Sequence, residues 1–101
     1  MRRCCPLYHE AVELVGKRWS GAILAVLLES PEPLRFSEIA TAVPDLSDRL
    51  LSERLKELEC RGLVTKSDAG YAVTAMGRDL APALSEIQAW ARRWMTEPAL
   101  R

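Results

Sequence analysis

Apolar residues return at helical spacing along most of this chain, and most regularly in the run Leu46-Ser47-Asp48-Arg49-Leu50-Leu51-Ser52-Glu53-Arg54-Leu55-Lys56-Glu57-Leu58. At roughly 100° per residue, Leu51, Leu55 and Leu58 share one stripe and Leu50 flanks it. Arg49, Ser52, Glu53 and Lys56 cluster on the opposite side. The pattern predicts an amphipathic helix that lies on a core and shows a short polar face outward, with Ser47 as its cap. Arg54 breaks the division. It falls beside Leu51 and Leu58 on the buried side, where a structural ion pair suits it better than an outward role.

The same reading extends in both directions. Cys5-Pro6 opens a first helix over about Tyr8 to Val15, with Ala11, Val12, Leu14 and Val15 as its apolar side. Gly16 suits a left-handed C-terminal position, and the cations Lys17 and Arg18 follow the negative end of the helix dipole. Trp19 to Glu29 is a second helix; Ile23, Leu24, Val26, Leu27 and Leu28 cover nearly all of its circumference, so it should be the most buried element. Ser30-Pro31-Glu32-Pro33 stops it. Leu34 and Arg35 suit a very short strand, and Phe36 to Val43 a short third helix with Phe36, Ile39 and Val43 inward. Pro44-Asp45-Leu46 turns into the leucine-striped helix, which ends near Cys60-Arg61-Gly62. Leu63-Val64-Thr65-Lys66 and Tyr71-Ala72-Val73-Thr74 are β-rich segments around Ser67-Asp68-Ala69-Gly70, a hairpin signal. Thr74 can cap a last helix over about 75–97, which kinks or effectively begins at Pro82. Leu80, Leu84, Ile87, Ala91 and Trp94 form an a/d stripe on it, and Trp90 and Met95 widen the strip. A domain this small has little surface with which to cover such a stripe, so a second subunit is its natural cover.

Composition narrows the function classes. The 101 residues make one domain with a modest core, and 49% hydrophobic with 28% charged residues is the balance of a globular protein. Fourteen basic and fourteen acidic residues cancel, so any affinity for nucleic acid has to come from local patches. No signal peptide or membrane span is evident, and three cysteines are not a disulfide framework. A cytoplasmic, nucleoid-associated protein is expected. With a single histidine, no glycine-rich phosphate loop and no nucleophile beside an evident base, catalysis and a bound cofactor are not expected.

A short helix, a brief turn and a longer helix starting at a serine make a helix-turn-helix, and a hairpin directly after it makes the wing of a winged helix. The expected fold is mainly α with a small β-hairpin (α+β). In such an arrangement the N-terminal part of the second helix reads base edges. By position Ser47, Asp48, Arg49, Ser52 and Glu53 qualify, with Lys56 further along the groove wall. Arg49 is the best candidate for a bidentate contact to guanine. Glu53 can accept from a cytosine amine or pair with Arg49 or Lys56, and the pairing is the simpler reading. Lys17, Arg18, Arg35 and, on the wing, Lys66 lie where phosphates could be touched; as solvated cations or dipole partners they would need no DNA at all.

These residues in order resemble the HxlR-type winged helix-turn-helix transcriptional regulators. The resemblance rests on Cys5-Pro6, Ala11 to Trp19, Ala22-Ile23-Leu24, Arg35 to Ile39, the run from Leu46 to Leu58, Gly62-Leu63-Val64, and Thr74, Gly77 and Arg78, and it spans nearly the whole chain. It implies a homodimer bound to a roughly palindromic operator in double-stranded DNA, held together by its N- and C-terminal helices, here through Leu84, Ile87, Trp90, Ala91 and Trp94. The segment between Lys66 and Tyr71 is shorter than the longer, proline-containing wing common in the family.

In some members of that family the cysteine at the position of Cys5 senses oxidants or electrophiles. Arg2 and Arg3 would favour its reactive thiolate, and Cys4 adds a second thiol. A redox, electrophile or small-molecule effector is therefore one reading of this end of the chain; the other is an inert cysteine packed against the dimer helices. Cys60 is expected to be structural. Cys4, Cys5, His9 and Cys60 lack the usual metal-site spacing. The competing function is a winged-helix module that binds protein, which the neutral charge and trimmed wing allow.

Overall fold

The computed structural model describes residues 5–95. Helix α1 is Pro6–Val15, α2 Ser20–Glu29, α3 Phe36–Ala42 and α4 Asp48–Cys60; strands β1, Val64–Ser67, and β2, Gly70–Val73, follow, then α5, Ala75–Arg78, and α6, Ala81–Trp94. The winged-helix order read from the sequence is present.

The core forms where α2 and α4 face each other. Ile23, Leu24 and Leu27 of α2 are buried with Leu51, Leu55 and Leu58 of α4, and Ile39, Val43, Leu46, Leu63, Val64 and Val73 close the cluster. The stripe and its flank are as predicted, since Leu50 is only half-buried. Burying each such leucine side chain contributes on the order of 1.5–3 kcal/mol, so the rotation of α4 about its axis is set by this stripe. The helix ends at Gly62, whose φ of 85° is open to a residue without a Cβ. There the Leu63 N–H reaches the Leu58 carbonyl at 2.9 Å, a C-terminal cap that turns the chain directly into β1.

The wing is tighter than expected by one residue on each side. Val64 pairs with Val73, Thr65 with Ala72, Lys66 with Tyr71 and Ser67 with Gly70, so Asp68-Ala69 alone makes the turn. Leu34 forms the short strand anticipated for it, as an isolated bridge to Tyr71.

Two expectations are corrected and a third is decided between its alternatives. First, α1 begins at Pro6, because proline is tolerated in a first helical turn where its missing N–H is not needed. Second, Gly16 is right-handed, with φ −82°; a Cβ there would sit 2.7 Å from the Val12 carbonyl oxygen, so close approach requires the glycine. The left-handed residue is instead Trp19, at φ 76°. Third, the last helix effectively begins at Pro82 and does not kink there, one of the two alternatives read from the sequence. Thr74 caps α5 by accepting the Gly77 N–H at 3.1 Å, and α6 starts afresh with Pro82 in its first turn, so the dimerisation helix expected over about 75–97 is described as Ala81–Trp94.

The strained turn at Trp19 is held from α4. Arg54, with only 14% of its side chain exposed, donates from Nε to the Arg18 carbonyl and from Nη1 to Glu57, each at 2.9 Å. Lys17 donates to the other Glu57 oxygen. The structural role expected for Arg54 is what the fold gives it. Hydrogen bonding by Lys17 and the charges of Lys17 and Arg54 hold the Glu57 carboxyl below its ordinary value of 4.5, against a smaller opposing effect of desolvation. A carboxyl lowered by folding stabilises the fold above its unfolded pKa, and that contribution is lost as pH falls through the folded one. Urea unfolding of the wild type and Glu57→Gln should therefore show a stability gap at neutral pH that closes as pH is lowered through and below 4.5.

Candidate nucleic-acid interface

With its leucines turned inward, α4 presents one continuous polar face. Ser47 stands at its start and accepts the Leu50 N–H at 3.2 Å, the capping role read from the sequence. Asp48 occupies the first turn, where a carboxylate suits the positive end of the helix dipole. Arg49 projects outward with 90% of its side chain exposed, and its Nε lies 3.5 Å from Glu53, one turn along. Ser47, Arg49, Leu50 and Glu53 border a shallow depression of about 250 Å³. Ser52 is half-buried and Lys56 exposed on the same side.

The remaining cations divide into two groups. Arg35 begins α3 and is exposed, its backbone N–H donating to Glu38 at 2.7 Å. Leu34, beside it, bridges to Tyr71, which in turn pairs with Lys66. Arg35 and Lys66 are thus linked across the three short segments of the wing sheet, and Lys66 sits 5.5 Å above the Tyr71 ring. Lys17 and Arg18 lie elsewhere. Lys17 is tied to Glu57, eight residues beyond Arg49 and so about 12 Å along the helix. Arg18 stacks 5.3 Å above the ring of Trp19. The structure gathers Ser47, Asp48, Arg49, Ser52, Glu53 and Lys56 on one surface, and it sets Lys17 and Arg18 at the α1–α2 turn, toward the far half of α4.

The stripe on the last helix is split. Leu80 and Leu84 pack against the domain's own core, because α6 returns beside α2 at its start. Ile87, Trp90 and Trp94 are 56%, 48% and 71% exposed, and Ala91 is half-buried between them. Helix α1 has no buried residue, and Leu7, Tyr8 and Val12 stand on its surface. Among the described residues the two end helices therefore carry most of the exposed apolar surface, in the places where the sequence reading put a subunit interface, with Leu84 on the inner side of the boundary.

Sequence reasoning missed what lies between α1 and the end of α4. A groove of about 850 Å³ runs there, with Val12, Leu14 and Leu58 among its walls and His9, Glu13 and Cys60 along it. It is bridged by Glu10–Arg61 at 2.7 Å and by Lys17–Glu57. These partners stand 51 and 40 positions apart, so no local spacing could have announced them. Cys60, expected to be structural, is exposed, because it follows Leu58 around the helix by two residues and leaves the buried stripe. Cys5 is exposed at the start of α1; Cys4 lies outside the described residues.

This architecture has relatives. The model of the HxlR-like helix-turn-helix family matches residues 14–99. YvaP of Bacillus subtilis, an HTH-type transcriptional regulator, is 45% identical over 98 residues, covering 90% of this chain and 89% of that protein. YodB of the same organism, also an HTH-type transcriptional regulator, is 40% identical over 94 residues, covering 86% and 82%. The crystal structure of quinone-bound YodB superposes with a TM-score of 0.82 at 41% identity, over 89% of this chain and 100% of that one. Family and fold agree with the geometry of α3, α4 and the wing, and the chain belongs to the HxlR-like helix-turn-helix family of DNA-binding transcriptional regulators.

Proposed function

We propose that the chain binds a two-fold symmetric DNA operator as a homodimer and reads bases with the first two turns of α4. The observation that carries this reading is Arg49, outward on a helix whose opposite side is locked into the core. Asp48, Ser52 and Glu53 flank it on the base side, Lys56 follows along the groove wall, and the cap at Ser47 faces the backbone. Arg35 and Lys66 supply phosphate contacts from the base of the wing. Lys17 and Arg18 contribute less, since both are engaged at the α1–α2 turn.

The homodimer is supported by the exposed apolar residues of α1 and α6. Two copies that cover Leu7, Tyr8 and Val12 together with Ile87, Trp90 and Trp94 would remove both faces from water, and a two-fold axis would set the recognition helices about one DNA turn, ~34–36 Å, apart.

The effector reading rests on Cys5 and on the relative that has been crystallised with quinone bound. An electrophile such as a quinone would add the Cys5 sulfur to a ring carbon, its electron pair passing to a carbonyl oxygen that takes up a proton. The adduct at the start of α1 would disturb the dimer helices. No helix among the described residues is long and apolar enough to cross a membrane.

Three outcomes are expected. Selection of duplexes from a random pool should return paired half-sites one turn apart, and Arg49→Ala should cost ~1–3 kcal/mol and relax one position in each half-site. A uniform loss across all sequences would make Arg49 a phosphate contact; no DNA affinity even at low salt would favour a protein-binding module. Trp90→Ala should weaken self-association by about 2–4 kcal/mol in sedimentation equilibrium while leaving the far-ultraviolet circular dichroism unchanged; an unaltered dimer would place the interface elsewhere. Treatment with a quinone should release operator DNA from the wild type and not from Cys5→Ser, and release from both would remove Cys5 from the sensing role.

A further inference from the structure

The pair Arg49–Glu53 is poorly explained by folding. Arg49 is the second residue of α4, at the positive end of the helix dipole, where a cation is disfavoured. A cation four residues before its acidic partner is also the weaker of the two orders for such a pair. Both side chains are largely in solvent, at 90% and 51% exposure, so neither contributes to the core. The surrounding face carries Asp48 and Glu53 against Arg49 and Lys56, a formal balance of zero. A helix selected simply to adhere to phosphate would not carry two carboxylates beside its reading arginine.

The contact geometry offers a reason. Glu53 lies 3.5 Å from Arg49 Nε, at the root of the guanidinium, with the two terminal nitrogens beyond it along the side chain. Those nitrogens form the end-on fork that can meet O6 and N7 of a guanine, and the fork remains open while Nε is engaged. The side-on edge, which includes Nε, is the one Glu53 faces. A phosphate drawn to Arg49 would in addition meet the Glu53 carboxylate, with like charges brought together.

We propose that Glu53 is a specificity-determining residue that acts through Arg49: it holds the guanidinium for an end-on contact to a base and repels phosphate from it. It need not touch DNA. This rests on the reading of α4 as the base-reading helix and adds to it a reason why the face is charge-balanced. Specificity is a difference between two affinities, and Glu53 works chiefly by lowering the unwanted one.

The test is a double-mutant cycle with wild type, Glu53→Gln, Arg49→Ala and the double variant, each titrated against the best duplex selected by the wild type and against a random-sequence duplex of equal length. Glu53→Gln should tighten random-duplex binding, steepen its dependence on salt by about 0.9 in log–log slope as Arg49 gains a phosphate, and lower the selected-to-random ratio by about 3- to 10-fold. In the Arg49→Ala background the same change should leave the ratio unaltered; a general charge effect would persist there. The proposal is overturned by an unchanged ratio in Glu53→Gln, by an equal effect in both backgrounds, or by a change in the preferred base at one position, which would make Glu53 itself a reader of bases. If Arg49→Ala alone leaves the ratio intact, the base-reading role of α4 fails first and the proposal falls with it.

Discussion

Burial of Leu51, Leu55 and Leu58 against Ile23, Leu24 and Leu27 is the constraint from which the rest follows. A helix of thirteen residues can present only one side to solvent once a three-leucine stripe is fixed on the other. That rotation decides that Arg49, Ser52, Glu53 and Lys56 face outward together and that Arg54 does not. The outward polar face of α4 is therefore a consequence of core packing, and its placement is that of a packed interior.

A second layer of contacts fixes where α4 sits relative to the N-terminal helix. Arg54 holds the carbonyl of Arg18 beside a left-handed tryptophan, Glu57 gathers Arg54 and Lys17, and Arg61 reaches Glu10. A left-handed non-glycine residue costs about 1–3 kcal/mol and persists when its surroundings over-determine it. Here they do. The cations of this turn serve the scaffold, and the α4 face keeps its own charge balance.

The end helices show the opposite condition. Helix α1 has no fully buried residue and rests on the core through half-buried Leu14. Leu80 and Leu84 pack on the core at the start of α6, while Ile87, Trp90 and Trp94 stand largely in water. Apolar surface of this kind, on the first and last helices, is what the proposed homodimer would cover. The groove between α1 and the end of α4 is spanned by the Glu10–Arg61 and Lys17–Glu57 ion pairs.

The sequence by itself determined the elements and the faces. Leucine spacing put the polar side of α4 outward and Arg54 inward, Ser47 and Thr74 announced caps that form, and the two β-rich segments predicted the wing to within one residue. These are local properties, set by the period of one segment or by hydrogen bonds three residues apart. Only the tertiary structure decided that Trp19, and not Gly16, takes the left-handed turn, that Lys17 is committed to Glu57, that Cys60 is exposed, and that the α6 stripe divides after Leu84. Each depends on partners distant in sequence or on where one helix runs out of neighbours, and no periodicity within a segment encodes that.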